Sequence, residues 1–257
     1  MKSDIKPFEL YKNIFFVGSS RVSVHVIKTE KGLVMIDTGY NNMYDQIIFS
    51  MESLNLNPKD ICAIFHTHGH IDHFGCTIEF KKLSGATTYI SQIDNDILNG
   101  KKNLSWADIL GLETLPFFDC DVLVNDGDEF DFGDVKIRAI LTPGHTEGVL
   151  SFIITMPDNV VAAMHGGVGT NSMNKEYLNQ NNLPLSLIDD FLGGIERLKN
   201  IKVDLVLGNH PEQNNTVQKL MDIEQGKSVL NKNEWQEFLN NRKERVLNLL
   251  NDTIKEQ

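Results

Sequence analysis

In the segment Phe65-His66-Thr67-His68-Gly69-His70-Ile71-Asp72-His73, four histidines and one aspartate fall within eight positions, directly after an apolar run. Imidazole nitrogens and carboxylate oxygens are the ligands that suit zinc. Crowding so many titratable groups at the end of a buried strand is costly unless a counter-charge is present, and one or two divalent cations would supply it. Residues two apart in extended backbone point the same way, so His68 and His70 can reach one ion. Asp72 and His73 open the next helix and face a neighbouring point. A ligand pair on each side of one turn predicts two adjacent metal sites.

Two more histidines have matching settings. His145 lies in Leu141-Thr142-Pro143-Gly144-His145-Thr146-Glu147-Gly148, a tight turn after an apolar strand. His210 lies in Leu207-Gly208-Asn209-His210-Pro211, again directly after one. Read alone, each is an ordinary loop histidine. Beside the first cluster, both become candidate ligands. Cys62, Cys76 and Cys120 form neither an even disulfide framework nor a CxxC knuckle, which leaves buried free thiols as their expected state.

The elements that must position these side chains follow from periodicity. Short β-branched and aromatic runs predict strands at 14–18, 22–28 and 32–37, and the wholly apolar Ile61–Phe65 reads as a strand buried on both faces. Further strands are expected at 87–90, 122–124, 135–141, 150–155, 160–164 and 203–207. Helical spacing marks 42–53, 76–82, 93–98, 185–198 and a long amphipathic helix at about 233–255, where Trp235, Phe238, Leu239, Val246, Leu249 and Leu250 share a face. No repeat or composition break appears, so residues 1–257 are expected to form one domain, two β-rich halves sandwiched between helical layers.

Composition narrows the partners. With 41% hydrophobic and 23% charged residues the chain is an ordinary globular one. A net charge of −11 argues against nucleic acid, because phosphate binding needs clustered Lys and Arg. No apolar run approaches the roughly 18 residues of a membrane span. The polar start, Met-Lys-Ser-Asp-Ile-Lys, lacks the core of a secretory signal, which predicts a cytoplasmic protein unless a signal has been removed. A small-molecule substrate is the expected partner. Nothing in the sequence bears on oligomeric state.

Thr67-His68-Gly69-His70-Ile71-Asp72-His73 resembles the HxHxDH signature of the metallo-β-lactamase superfamily. Val34-Met35-Ile36-Asp37-Thr38-Gly39 is similar to its strand-end aspartate motif, and Pro143-Gly144-His145-Thr146 to its third-ligand motif. The stretch Pro7–Gly18, Asn209-His210-Pro211 and the tail around Trp235 are similar to the β-lactamase subclass whose dizinc site lacks a cysteine ligand. The resemblance implies an αββα sandwich of the α/β class, with metals at one edge of the two sheets. It also implies one zinc on His68, His70 and His145, a second on Asp72, His73 and His210, and a supporting role for Asp37. Iron or manganese can occupy such a site. His66, two residues before the signature, is expected to be packed or to support a ligand.

One departure stands out. Many dizinc members carry a bridging aspartate after the strand matching 160–164, but here the segment reads Met164-His165-Gly166-Gly167-Val168-Gly169-Thr170-Asn171. The glycines suggest backbone turning close to the metals, and His165 is a candidate to approach them. Zinc lowers the pKa of bound water to about 7, so the implied activity is hydroxide attack on the carbonyl of a cyclic amide, as in β-lactams, with Asp72 orienting the nucleophile and handling its proton. A lactone or another ester or thioester is the alternative substrate. A redox role is disfavoured by histidine at position 70, where diiron relatives place glutamate. The irregular stretch 99–119, with Trp106, Leu110, Leu112, Phe117 and Phe118, is expected to offer a pocket wall. Thr170, Asn171 and Ser172 are candidates to bind a substrate carboxylate.

Overall fold

A computed structural model describes residues 4–109, 111–112 and 117–255, with side chains to 250. Among these residues two sheets lie face to face. The larger has seven strands in sequential order: β1 (Phe8–Tyr11), β2 (Ile14–Phe16), β3 (His25–Thr29), β4 (Gly32–Ile36), β5 (Ile61–Phe65), β6 (Thr87–Ser91) and β7 (Val122–Val124). The smaller runs β12 (Leu205–Leu207), β11 (Val161–Met164), β10 (Leu150–Thr155), β9 (Lys136–Leu141) and β8 (Glu129–Asp131). Pairing is parallel from β4 through β7 and between β11 and β12, and antiparallel elsewhere.

Strand alternation explains the layering. Along β4, Val34 and Ile36 enter the core between the sheets, whereas Leu33 and Met35 face outward under helices α1 (Tyr44–Ser53) and α3 (Thr77–Ser84). Along β11 and β12, Ala162, Met164, Leu205 and Leu207 point inward. Ala163 and Val206 face helices α6 (Leu187–Lys199) and α8 (Glu234–Lys255). Because both faces of these central strands are covered, their sequences are apolar throughout. Phe65 marks the junction, with its ring 4.3 Å from Tyr89 of its own sheet and 5.6 Å from Phe152 across the interface. The architecture is therefore the αββα sandwich expected from the sequence.

Several predicted boundaries move. The expected helix at 76–82 is a short turn of helix, α2 (Ile71–Phe74), followed by α3, because Gly75 and Cys76 separate them. The first two strands are shorter than periodicity suggests. Elements without a clear sequence signature are β1, β8, α5 (Lys175–Gln180) and α7 (Thr216–Glu224); α4 (Gln92–Leu98) was expected. Among the described residues no helix is long and apolar enough to cross a membrane. All three cysteines are free, Cys76 and Cys120 buried and Cys62 half-buried.

Candidate metal centre

The carboxyl ends of five strands deliver the site to one edge of the sandwich. β4 ends at Asp37, β5 runs into the histidine loop, β9 leads to His145, β11 to Gly166 and β12 to His210. Ligand atoms of His68, His70 and His145 lie within 4.8 Å of one another, and so do those of Asp72, His73 and His210. The two groups adjoin, since the rings of His68 and His73 are 4.2 Å apart.

Each imidazole but one is anchored through its Nδ1. That of His68 donates to Gly166 O at 2.8 Å, that of His145 to Gly169 O at 2.8 Å, and that of His210 to Arg21 O at 2.7 Å. His73 Nδ1 donates to Asp37 Oδ2 at 2.7 Å. A nitrogen held as an N–H donor leaves the other as a bare lone pair, and those Nε2 atoms turn inward. His70 instead presents Nδ1, which stands 3.2 Å from His68 Nε2.

A divalent metal fits this donor set. His73 Nε2 is buried without a hydrogen-bond partner, and Asp72 Oδ2 stands 3.4 Å from it. An orphaned buried nitrogen facing a carboxylate and a second imidazole is costly unless something fills the gap. Metal ligation requires neutral histidines. Burial, reinforced by the neighbouring imidazoles, holds His68 and His70 well below the ordinary histidine range, and burial brings His145 down to about 4. For His73 burial acts downward, but Asp72 and Asp37 outweigh it, and its pKa is raised. Tying each ligand from behind fixes tautomer and ring orientation, which metal centres require of the groups around them.

Asp37 does more than cap a turn. Its Oδ1 accepts from the Thr67 backbone at 2.8 Å, and its Oδ2 accepts from Thr67 Oγ1 as well as His73. Its backbone sits at a φ of 59°, an uncommon conformation for a non-glycine residue. His66 stays outside both groups. It donates through Nδ1 to Tyr89 O, accepts from Thr77 Oγ1 and packs on Phe118.

The segment after β11 takes part through its backbone. The carbonyl of Gly166 is shared by His68 and Asn209, and a Cβ there would stand 1.9 Å from Leu150 O. A Cβ on Gly169 would stand 2.8 Å from His145 Cε1. Chain and imidazole thus approach too closely for a side chain, and no carboxylate enters from this segment. His165 corrects an expectation. It is fully buried against Phe191, with Nδ1 accepting from Gly167 N, and belongs to neither donor group.

Of the expected pocket residues, Trp106 is beside the site, its ring stacked on His70 at 4.5 Å. Trp106 Nε1 donates to Tyr177 Oη at 2.8 Å, which ties the 99–109 segment to α5. Both residues, with Leu104 and Ile109, line a cavity of about 260 Å³. Phe118 instead packs with Ile71 and Phe74 in a small core cluster, joined by Leu112. Phe117 is exposed and lies against Gly100. Leu110 lies outside the described residues. Ser172 is buried, its hydroxyl donating to His145 O at 2.7 Å, so it braces the ligand loop. Thr170 and Asn171 stand on a partly exposed turn whose carbonyls accept from Met173 and Asn174.

Comparisons with known proteins bear on the family and the fold. A family model described as the metallo-beta-lactamase superfamily matches residues 17–163. An uncharacterised protein of Aquifex aeolicus is 30% identical over 135 residues, 52% of this chain and 60% of that protein. A probable metallo-hydrolase of Methanocaldococcus jannaschii is 32% identical over 120 residues, 47% of this chain and 45% of its own length. The chain thus spans about half the length of these two curated relatives. Among solved structures, a subclass B3 metallo-β-lactamase of Bradyrhizobium japonicum superposes with a TM-score of 0.88 at 26% identity, covering 99% of this chain and 97% of its own. The metallo-β-lactamase of Legionella gormanii superposes with a TM-score of 0.88 over 98% of both chains, at 21% identity.

Proposed function

Since the chain belongs to the metallo-β-lactamase superfamily, we propose that it is a metallo-hydrolase, that its two donor groups hold a pair of zinc ions and that it opens a cyclic amide of the β-lactam kind. The observation that carries this proposal is the adjacency of the three-histidine group and the Asp72/His73/His210 group. A zinc pair would polarise a carbonyl oxygen and make water nucleophilic at neutral pH.

The chain's own residues supply the rest. Asp72 keeps 15% of its side chain open to solvent, between His73 Nε2 at 3.4 Å and His210 Nε2 at 3.7 Å. Its carboxylate is placed to orient the attacking water, hold the proton given up, and return it to the leaving nitrogen. Trp106 offers a flat apolar face for a ring substrate, and Tyr177 holds that face in place. Ser172 and the Gly169 carbonyl fix His145, so substrate can press on this side of the site without turning the imidazole.

The test joins metal analysis to a hydrolysis screen. Protein purified without chelator should carry close to two equivalents of zinc, and turn over a chromogenic β-lactam faster than a panel of lactones. Turnover of lactones alone would reassign the substrate to cyclic esters. Zinc-loaded protein inert toward both classes would end the cyclic-substrate proposal.

A further inference from the structure

Asp94 lies on α4, away from both donor groups in sequence, yet its side chain reaches the loops on either side of the three-histidine group. It is 0% exposed. Its Oδ2 accepts from the backbone N–H of Gly69 at 2.9 Å and from Thr146 Oγ1 at 2.6 Å. Gly69 stands between His68 and His70, and Thr146 follows His145. A single oxygen therefore joins the two loops that carry all three imidazoles. Oδ1 lies against Gly148, where a Cβ would stand 2.4 Å from it, so the loop beyond Thr146 is shaped around this carboxylate.

The helix that carries the carboxylate is anchored, while its Oδ1 is buried without a hydrogen-bond partner. Ser91 caps α4 by accepting from the Asp94 backbone N–H at 3.2 Å, which fixes the first turn at the end of β6. Among the described residues Asp94 has no salt-bridge partner. A buried carboxyl without a basic partner is an expensive way to join two loops if joining them is all it does. Beside three neutral imidazoles that would together hold a cation, a negative charge gains a purpose.

Resting on the metal-bound reading above, we propose that Asp94 is a positioning residue that locks the His68/His70 loop to the His145 loop, and thereby sets the spacing and affinity of the three-histidine group alone. The Asp72/His73/His210 group hangs on Asp37 and Arg21 O instead, and should not depend on it. Ligand-supporting groups of this kind change metal affinity by about 10- to 100-fold when lost.

The test titrates chelator-stripped protein with zinc alone, against a chromogenic chelator, for wild type, Asp94→Asn and Thr146→Val. Thr146→Val keeps the shape of its side chain and removes only one donor, so it tests the lock even if Asp94→Asn folds poorly. Native fold is checked by near-UV circular dichroism. In both variants one of two zinc equivalents should weaken by about 10- to 100-fold, with the other within about twofold of wild type. If Thr146→Val, folded, binds both equivalents as tightly as wild type, or both weaken together, the proposal is overturned. Wild-type protein that takes up no zinc would instead overturn the metal reading, and this one with it.

Discussion

Asp37 Oδ2 and His73 Nδ1 are 2.7 Å apart, and both side chains are 1% exposed. The same carboxylate holds Thr67, one residue before His68, so it braces the donor groups from behind on both sides. Asn tolerates the left-handed backbone that Asp37 adopts, so Asp37→Asn removes charge with little strain. Its amide nitrogen must then face either the Thr67 N–H or the His73 N–H, and one buried donor loses its acceptor at a cost of about 1–3 kcal/mol. The expected result is about a 10- to 100-fold loss of zinc affinity at the Asp72/His73/His210 group, with a lower urea midpoint. Chelator competition and equilibrium unfolding measure the two effects, and unchanged zinc affinity would leave Asp37 as a turn cap only.

The candidate ligands were readable because metal chemistry restricts residue type and because the segments that carry them follow strands. β-periodicity located those strands; β4 runs parallel to β5, and β9, β11 and β12 share one direction, so within each sheet the carboxyl ends of these strands fall on one side. Asp94 left no signal. It lies in the helix expected at 93–98, where nothing in the spacing singles it out, and its partners come from sequence positions 25 and 52 residues away. His165 misled for the opposite reason, since a histidine near ligand loops looks functional until Phe191 is seen to cover it. α7 went unread although Val217, Leu220 and Met221 have helical spacing; it is short, with Leu220 and Ile223 packed on the core and Val217 and Met221 exposed.

Tyr177 offers a test of the aromatic wall that leaves the donor groups untouched. Tyr177→Phe removes the acceptor for Trp106 Nε1 and nothing that contacts His70. A single hydrogen bond of this kind contributes about 0.5–1.5 kcal/mol. If Trp106 guides substrate, KM should rise by about 2- to 10-fold while kcat stays near wild type. A matched fall in kcat with unchanged KM would mean that the indole acts on the imidazoles instead of the substrate.

Gly166 supplies the carbonyl shared by His68 Nδ1 and Asn209 Nδ2. In Gly166→Ala the new carbon would meet the Leu150 carbonyl, a backbone atom that cannot swing aside. Overpacking of this kind costs about 1–3 kcal/mol, and any relief shifts the carbonyl that orients His68. A lowered melting temperature together with weakened zinc binding is expected. An alanine variant as stable and as metal-tight as wild type would show that the segment after β11 has slack.

His165 predicts a pH dependence of stability separate from catalysis. Burial pushes its pKa down from the ordinary 6.5 to about 3, and His25, also buried, is lowered to about 4. Below pH 6.5 the unfolded chain takes up protons at these positions while the native protein does not. More protons are then bound by the unfolded state, so stability falls as pH falls, by up to about 1.4 kcal/mol per pH unit for each such histidine. The window for His165 runs from 6.5 down to about 3. His165→Asn retains an acceptor for the Gly167 N–H but cannot titrate there. Its chelator-stripped form should start less stable at pH 7, because a smaller side chain packs on Phe191, and should then lose stability more slowly on acidification, the slope reduced by about one proton. Urea midpoints of both proteins between about pH 7 and 4.5 decide the matter, and parallel slopes would mean that His165 is protonated in the native state.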